Sequence, residues 1–214
     1  MFKRLFRRSK SDLLPYPFFL QGRTDVIFVH VTKTAGTSIR KSLKLNRTNL
    51  SESFKKHYFV SEIIQLIGPE RWDKAFTFTF VRNPWDRLFS HYRFKMRKQN
   101  TTDMVSIDHF QEWSLKKIHR SLMTTDPTLW KNLKPQSEFL YNQDGQIAID
   151  FIGRFENLEA DFQTLCQKIG IKAQLSHFNQ SLPILNYRDF YQDELKSLVE
   201  HYYADDIENF AYTF

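Results

Sequence analysis

The chain has 214 residues, enough for one domain with a sizeable core, and its 21 Phe, 9 Tyr and 4 Trp exclude global disorder. Lys and Arg number 31 against 24 Asp and Glu, so the formal charge of +7 points to an anionic partner: a nucleotide, a polyanionic glycan, a nucleic acid or a membrane surface. Cys166 is the only cysteine, which excludes an intrachain disulfide and a cysteine-based zinc site and makes a reducing, cytoplasmic setting the default.

Residues 1–24 read as a basic N-terminal tail ahead of a single domain at residues 25–214. The apolar run inside this tail is too short and too Pro-broken for a signal-peptide core, and no run approaches the ~20 residues that span a bilayer. A floppy solvated tail is the bland reading, and weak contact with a membrane surface is the alternative.

Residues 25–31 form an almost continuous apolar, β-branched run and read as a buried parallel strand. A turn of small residues follows at 34–38, then a helix through Ile39, Leu43 and Leu45. Residues 61–67 carry Ile63, Ile64 and Ile67 on one helical face, and Gly68-Pro69 closes that helix. Residues 76–81 alternate as a second strand. Asn83 is a fitting N-cap and Pro84 a fitting first residue for the next helix, through Trp85, Leu88, Phe89 and Tyr92. Residues 100–135 read as mostly helical, and residues 148–152 as a third strand. Two amphipathic helices complete the pattern, at 158–169 ahead of Gly170 and at 193–203. Strands alternating with helices specify an α/β domain with a parallel sheet, whose ligands sit at the carboxyl ends of the strands.

Two motifs lie at such ends. Lys33-Thr34-Ala35-Gly36-Thr37-Ser38 follows the first strand and opens a helix. Unpaired N–H groups there carry partial positive charge, Ala35 and Gly36 allow close backbone approach, Thr37 and Ser38 add hydroxyls, and Lys33 adds a full charge. The order is not that of a Walker A loop, in which Lys follows the second Gly. A helix that simply begins with Thr and Ser caps is the bland alternative. Arg82, at the end of the second strand, offers a planar fork of donors for phosphate oxygens, and Ser90 lies about two turns into the following helix on a face shared with Arg87. Two anion sites on neighbouring strand ends suit a ligand with phosphates at both ends.

With these motifs in view, the chain resembles the sulfotransferases that use 3′-phosphoadenosine-5′-phosphosulfate (PAPS). The likeness is greatest to the carbohydrate-directed branch of heparan and chondroitin O-sulfotransferases and their bacterial relatives. Residues 27–38 look like the 5′-phosphosulfate loop of that family and residues 80–92 like its 3′-phosphate motif, with further matches at 150–158 and 206–214. The resemblance implies a P-loop-like three-layer fold, a central parallel sheet flanked by helices, with PAPS as co-substrate and no metal. It implies that Lys33, Thr34, Ala35, Gly36, Thr37 and Ser38 hold the 5′-phosphosulfate and that Arg82 and Ser90 hold the 3′-phosphate, with Arg188 as a further basic residue over it. Thr32 stands where the family usually has Pro and is expected to loosen the turn slightly.

Sulfuryl transfer demands alignment and stabilisation of charge on the leaving oxygen, a task for Lys33. The acceptor hydroxyl needs a base, for which His57 is the candidate and Glu52 and Glu62 the rivals; His30 reads as structural. A carbohydrate acceptor would meet Arg93, Lys95, Arg97, Lys98, Lys116, Lys117 and Arg120, with Trp113 and Trp130 as stacking platforms; a solvated helix face and core tryptophans are the bland alternatives. Two rival classes remain. A P-loop-like kinase lacks its Walker A order, and a nucleic-acid-binding module lacks a recognition helix or aromatic platform, so no nucleic-acid partner is expected.

Overall fold

Three short parallel strands form one sheet in the order β1-β2-β3: β1 at Val26–Phe28, β2 at Phe76–Val81 and β3 at Phe151–Arg154. The computed structural model describes residues 18–20, 23, 25–45, 57–101, 105–123, 131–176 and 185–214; most of the basic tail, Glu52 and Trp130 lie outside them.

The period-two alternation of the strands sorts their side chains onto two faces. Ile27, Val29 and Val81 point toward α2 (Val60–Ile67), α3 (Pro69–Asp73), α6 (Gln136–Leu140) and α9 (Ala204–Phe210), where they join Val60, Ile63, Trp72, Phe139, Leu140 and Phe210. Val26, Phe28, Phe78 and Phe80 point the other way, into a core with Ile39 of α1 (Gly36–Ser42) and Phe162, Leu165 and Cys166 of α7 (Leu158–Lys168). The result is the P-loop-like three-layer arrangement. A separate aromatic core joins α4 (Pro84–Lys98), α5 (Ile107–Met123) and α8 (Asp193–Tyr202) through Trp85, Phe89, Tyr92, Phe110, Leu195 and Tyr203. No helix among the described residues is long and apolar enough to cross a membrane.

Two strands differ from their sequence expectations. Regular pairing of β1 ends at Phe28; Val29 adds one bond to the Phe78 carbonyl (2.9 Å), and His30 and Val31 already belong to the loop. The third strand is displaced from residues 148–152 to 151–154. Ala148 is still bonded to the Leu140 carbonyl (3.1 Å), and Asp150 is turned to accept from the Thr77 N–H (2.7 Å) and hydroxyl (2.9 Å). The first helix also stops early, at Ser42, and Leu45 pairs with Leu20 in an isolated bridge. Gly68 ends α2 as expected, then caps a further short helix that begins at Pro69.

Asp206, 0% exposed, ties α9 to α6. Its carboxylate accepts from the Gln136 and Ser137 N–H groups (both 2.8 Å) and from the Ser137 hydroxyl (2.8 Å). Asp206→Ala orphans these buried donors and should cost about 3 kcal/mol. Thermal unfolding monitored by circular dichroism should show a melting temperature lower by roughly 6–12 °C.

Candidate functional site

Because β1 and β2 are parallel neighbours, the loops that leave their carboxyl ends lie side by side. The first carries Lys33, the second Arg82. Lys33 (φ 65°) and Ala35 (φ 63°) both occupy the left-handed region without being glycine. That conformation costs roughly 1–2 kcal/mol each and persists only where neighbours over-determine it. Here the Thr34 hydroxyl donates to the Val31 carbonyl (3.0 Å), Arg87 Nε donates to the Thr32 carbonyl (3.1 Å), and Arg82 Nη1 reaches the Lys33 carbonyl (3.3 Å). Alternating backbone of this kind turns successive N–H groups into one concavity, an anion nest. Gly36 is required by close approach: a Cβ there would lie 1.7 Å from His30 Nε2.

The residues of the phosphate loop divide by role. Thr34 is buried and its hydroxyl is spent on the loop itself. Ser38 is buried, Ala35 half-buried and Thr37 exposed. Ala35 is the N-cap of α1 and provides no side-chain cap, which leaves the helix's first N–H groups to other acceptors.

Lys33 is surrounded by positive charge. Burial first, then the Arg82 and Arg97 guanidiniums, push its ammonium down to about 7. Its Nζ sits 4.3 Å from the centre of the Phe94 ring. Arg93, on the same stretch of α4, is likewise lowered by burial, Arg97 and Arg82. The expected Arg82 position is occupied as a tie between loops: Nε pairs with Asp86 (2.7 Å), Nη1 holds the Lys33 carbonyl, and the guanidinium lies 3.7 Å over the Phe155 ring. Among the described residues no hydrogen bond is made by Nη2. Ser90 is half-buried on α4. Arg188 is exposed, 4.7 Å over the Tyr187 ring and 5.7 Å from that of Phe214, near the start of α4.

His57 lies across the loop from β1, with its Nδ1 2.9 Å from the His30 carbonyl. A carbonyl only accepts, so Nδ1 carries the proton and the neutral ring has its lone pair on Nε2. The His30 and His57 rings are 4.3 Å apart. His30 thus touches both the loop, at Gly36, and His57. Glu62 is engaged elsewhere, accepting from the Phe59 N–H (2.9 Å) at the start of α2.

Several positioning residues were invisible to motif reading. Arg87, three residues before Ser90 on α4, is 1% exposed and points inward, with Nη2 donating to the Asn132 (3.2 Å) and Lys134 (2.8 Å) carbonyls. Gln136 clamps the Arg82 backbone from both sides, accepting from its N–H (2.9 Å) and donating to its carbonyl (2.8 Å). Glu156 accepts from the Asn83 N–H (2.6 Å) and from the Tyr212 hydroxyl (3.0 Å), while Asn83 donates to the Thr213 carbonyl (2.8 Å) and caps α4 through Trp85 and Asp86. The matches at 150–158 and 206–214 therefore hold the Arg82 segment from behind. Thr32 does not loosen the turn: its hydroxyl donates to the Asn132 carbonyl (2.8 Å) and meets His91 Nε2 (3.2 Å).

Of the residues considered for an acceptor, Lys117 is lowered by burial and by Arg120, Lys95 and Lys116, which places these four cations together on α4 and α5. Trp113 is half-buried, its ring 5.5 Å from that of Tyr92.

A model of the sulfotransferase family matches residues 16–213 of the chain. An uncharacterised protein of Archaeoglobus fulgidus is 28% identical over 109 residues, a stretch covering 51% of this chain and 79% of that protein.

Proposed function

Since the chain belongs to the sulfotransferase family, we propose that it moves a sulfuryl group from PAPS to a hydroxyl of an anionic carbohydrate. The observation that carries this reading is the crowded ammonium of Lys33: a strained concavity of backbone N–H groups beside a lysine that burial, Arg82 and Arg97 hold at about 7. Such a site is incomplete electrostatically until an anion enters it. Backbone N–H groups from Thr34 to Ser38 and the Lys33 ammonium would hold the 5′ end, and Arg82 Nη2, Ser90 and Arg188 the 3′-phosphate. The bound donor supplies the sulfuryl group and a phosphate leaving group. Lys33 keeps its proton on Nζ and stabilises the charge that develops at the bridging oxygen. His57 Nε2 takes the acceptor's hydroxyl proton, its ring held by the bond to His30. The cations of α4 and α5 would align acidic groups on the acceptor.

The test is transfer of radiolabelled sulfate from PAPS to a panel of acidic and neutral glycans, with donor preference checked by binding of 3′-phosphoadenosine 5′-phosphate against ATP. Binding of ATP alone would favour a kinase, and salt-sensitive binding of nucleic acid that ignores PAPS would favour a nucleic-acid module.

The charge state of Lys33 gives a second test. An anion against Nζ raises its pKa from about 7 back toward 10.5, so binding above pH 7 takes up a proton. Calorimetry of 3′-phosphoadenosine 5′-phosphate binding at pH 8, in buffers of different ionisation enthalpy, should show an uptake approaching one proton, and affinity should fall as pH rises. No uptake at pH 8 would remove Lys33 from the phosphate site.

A further inference from the structure

The structure assigns Thr32 and His91 a positioning role: together they hold the backbone that aims Lys33, an inference that rests on the reading of Lys33 as the cation beneath the donor's 5′ end. The Thr32 hydroxyl has one hydrogen, and it goes to the Asn132 carbonyl at 2.8 Å, since a carbonyl only accepts. His91 Nε2, 3.2 Å from the same oxygen, must then be the donor, which fixes its tautomer; Arg87 Nη2 donates to that oxygen as well, at 3.3 Å. Arg87 Nε holds the Thr32 carbonyl at 3.1 Å. Four polar contacts therefore converge on the residue before Lys33. They tie the loop to α4 through Arg87 and His91 and, through Asn132, to the 3-10 turn Lys131–Leu133.

This tie bears directly on the strained backbone. Among the described residues Lys33, at φ 65°, is held on its carbonyl side by one long bond from Arg82 (3.3 Å), so Thr32 is the firmer anchor. His91 suits its part because it stays neutral: burial, then Arg87, Lys33, Arg82 and His57, hold its imidazole well below the usual range. A neutral ring donates at Nε2 without adding a further charge beside Lys33. In a chain with Pro at position 32, ring rigidity would restrain the turn, and neither the hydroxyl nor its histidine donor would be needed.

Thr32→Val keeps the shape and removes the hydroxyl; Thr32→Ser keeps the hydroxyl. Two quantities are read: affinity for 3′-phosphoadenosine 5′-phosphate by calorimetry, and the titration of Lys33 followed by ¹³C NMR after reductive methylation, with Lys33→Arg identifying its resonance. Thr32→Val should weaken affinity about tenfold and move the Lys33 titration upward from about 7, and Thr32→Ser should stay within about twofold of the parent. His91→Phe, which leaves the loop sequence intact, should shift both readouts in the same direction and serves if Thr32→Val does not fold. A lower melting temperature with unchanged affinity and unchanged Lys33 titration would overturn the positioning role. If the parent protein binds no 3′-phosphoadenosine 5′-phosphate, the donor reading fails by itself, while the Lys33 titration still tests the tie.

Discussion

Lys33→Met should lower sulfuryl transfer by about 10³-fold and weaken binding of 3′-phosphoadenosine 5′-phosphate by at least about tenfold. The methionine keeps the aliphatic stem beside Phe94 and removes only the ammonium, so the comparison isolates charge. The effect is large because the cation acts where charge develops, in a partly desolvated position. Stability should move the opposite way. In the unfolded chain the ammonium titrates at 10.5, in the folded one at about 7. Between those values the unfolded state binds more protons, so this lysine makes stability rise with pH there and costs stability below it. Lys33→Met should therefore melt higher than the parent at pH 7 and lose that pH slope. A variant that kept its turnover, or one that lost turnover only by unfolding, would defeat the assignment.

His57→Ala should separate chemistry from donor binding. Losing a general base costs about 10²–10⁴-fold in turnover. The affinity for 3′-phosphoadenosine 5′-phosphate should stay within about threefold, because His57 is held through the His30 carbonyl and is assigned to the acceptor side of the transfer. Added imidazole should restore part of the rate by filling the space the side chain leaves. Full activity in His57→Ala would transfer the base to another residue. Glu62 is a poor substitute, since its carboxylate already caps α2. A matching tenfold loss of donor affinity would instead make His57 a support for the loop, acting through His30 and Gly36.

The two experiments probe opposite sides of one transfer, and their contrast is the useful result. A loss of both affinity and rate at Lys33, with a loss of rate alone at His57, is the pattern of a cation that grips the donor and a base that serves the acceptor.

Much of this was legible along the chain because it is local. The alternation of Phe76 to Val81 specified β2 to the residue, Asn83-Pro84 specified the start of α4, and the order of Lys33 and Gly36 separated the loop from a Walker A loop. Each depends on the period of a strand, the cap of a helix or the spacing of a turn, which neighbours in sequence decide. The tertiary structure decided the rest. Strand limits moved because pairing partners decide them: Phe78, distant in sequence, pairs with Phe151, while Ala148 is bonded back to Leu140 across a local turn. Arg87, read from the sequence as a helix-face residue, is a buried clamp; Gln136, 54 residues from Arg82, holds the Arg82 backbone and is itself held by Asp206, and Glu156 holds Asn83 from 73 residues away. The Lys33 loop shows the division most clearly. Its residue types raised the expectation of an anion site, but its strain, its suppressed charge and its anchorage through Thr32 and His91 are properties of what surrounds it, because hydrogen bonding and desolvation act through space and not along the chain.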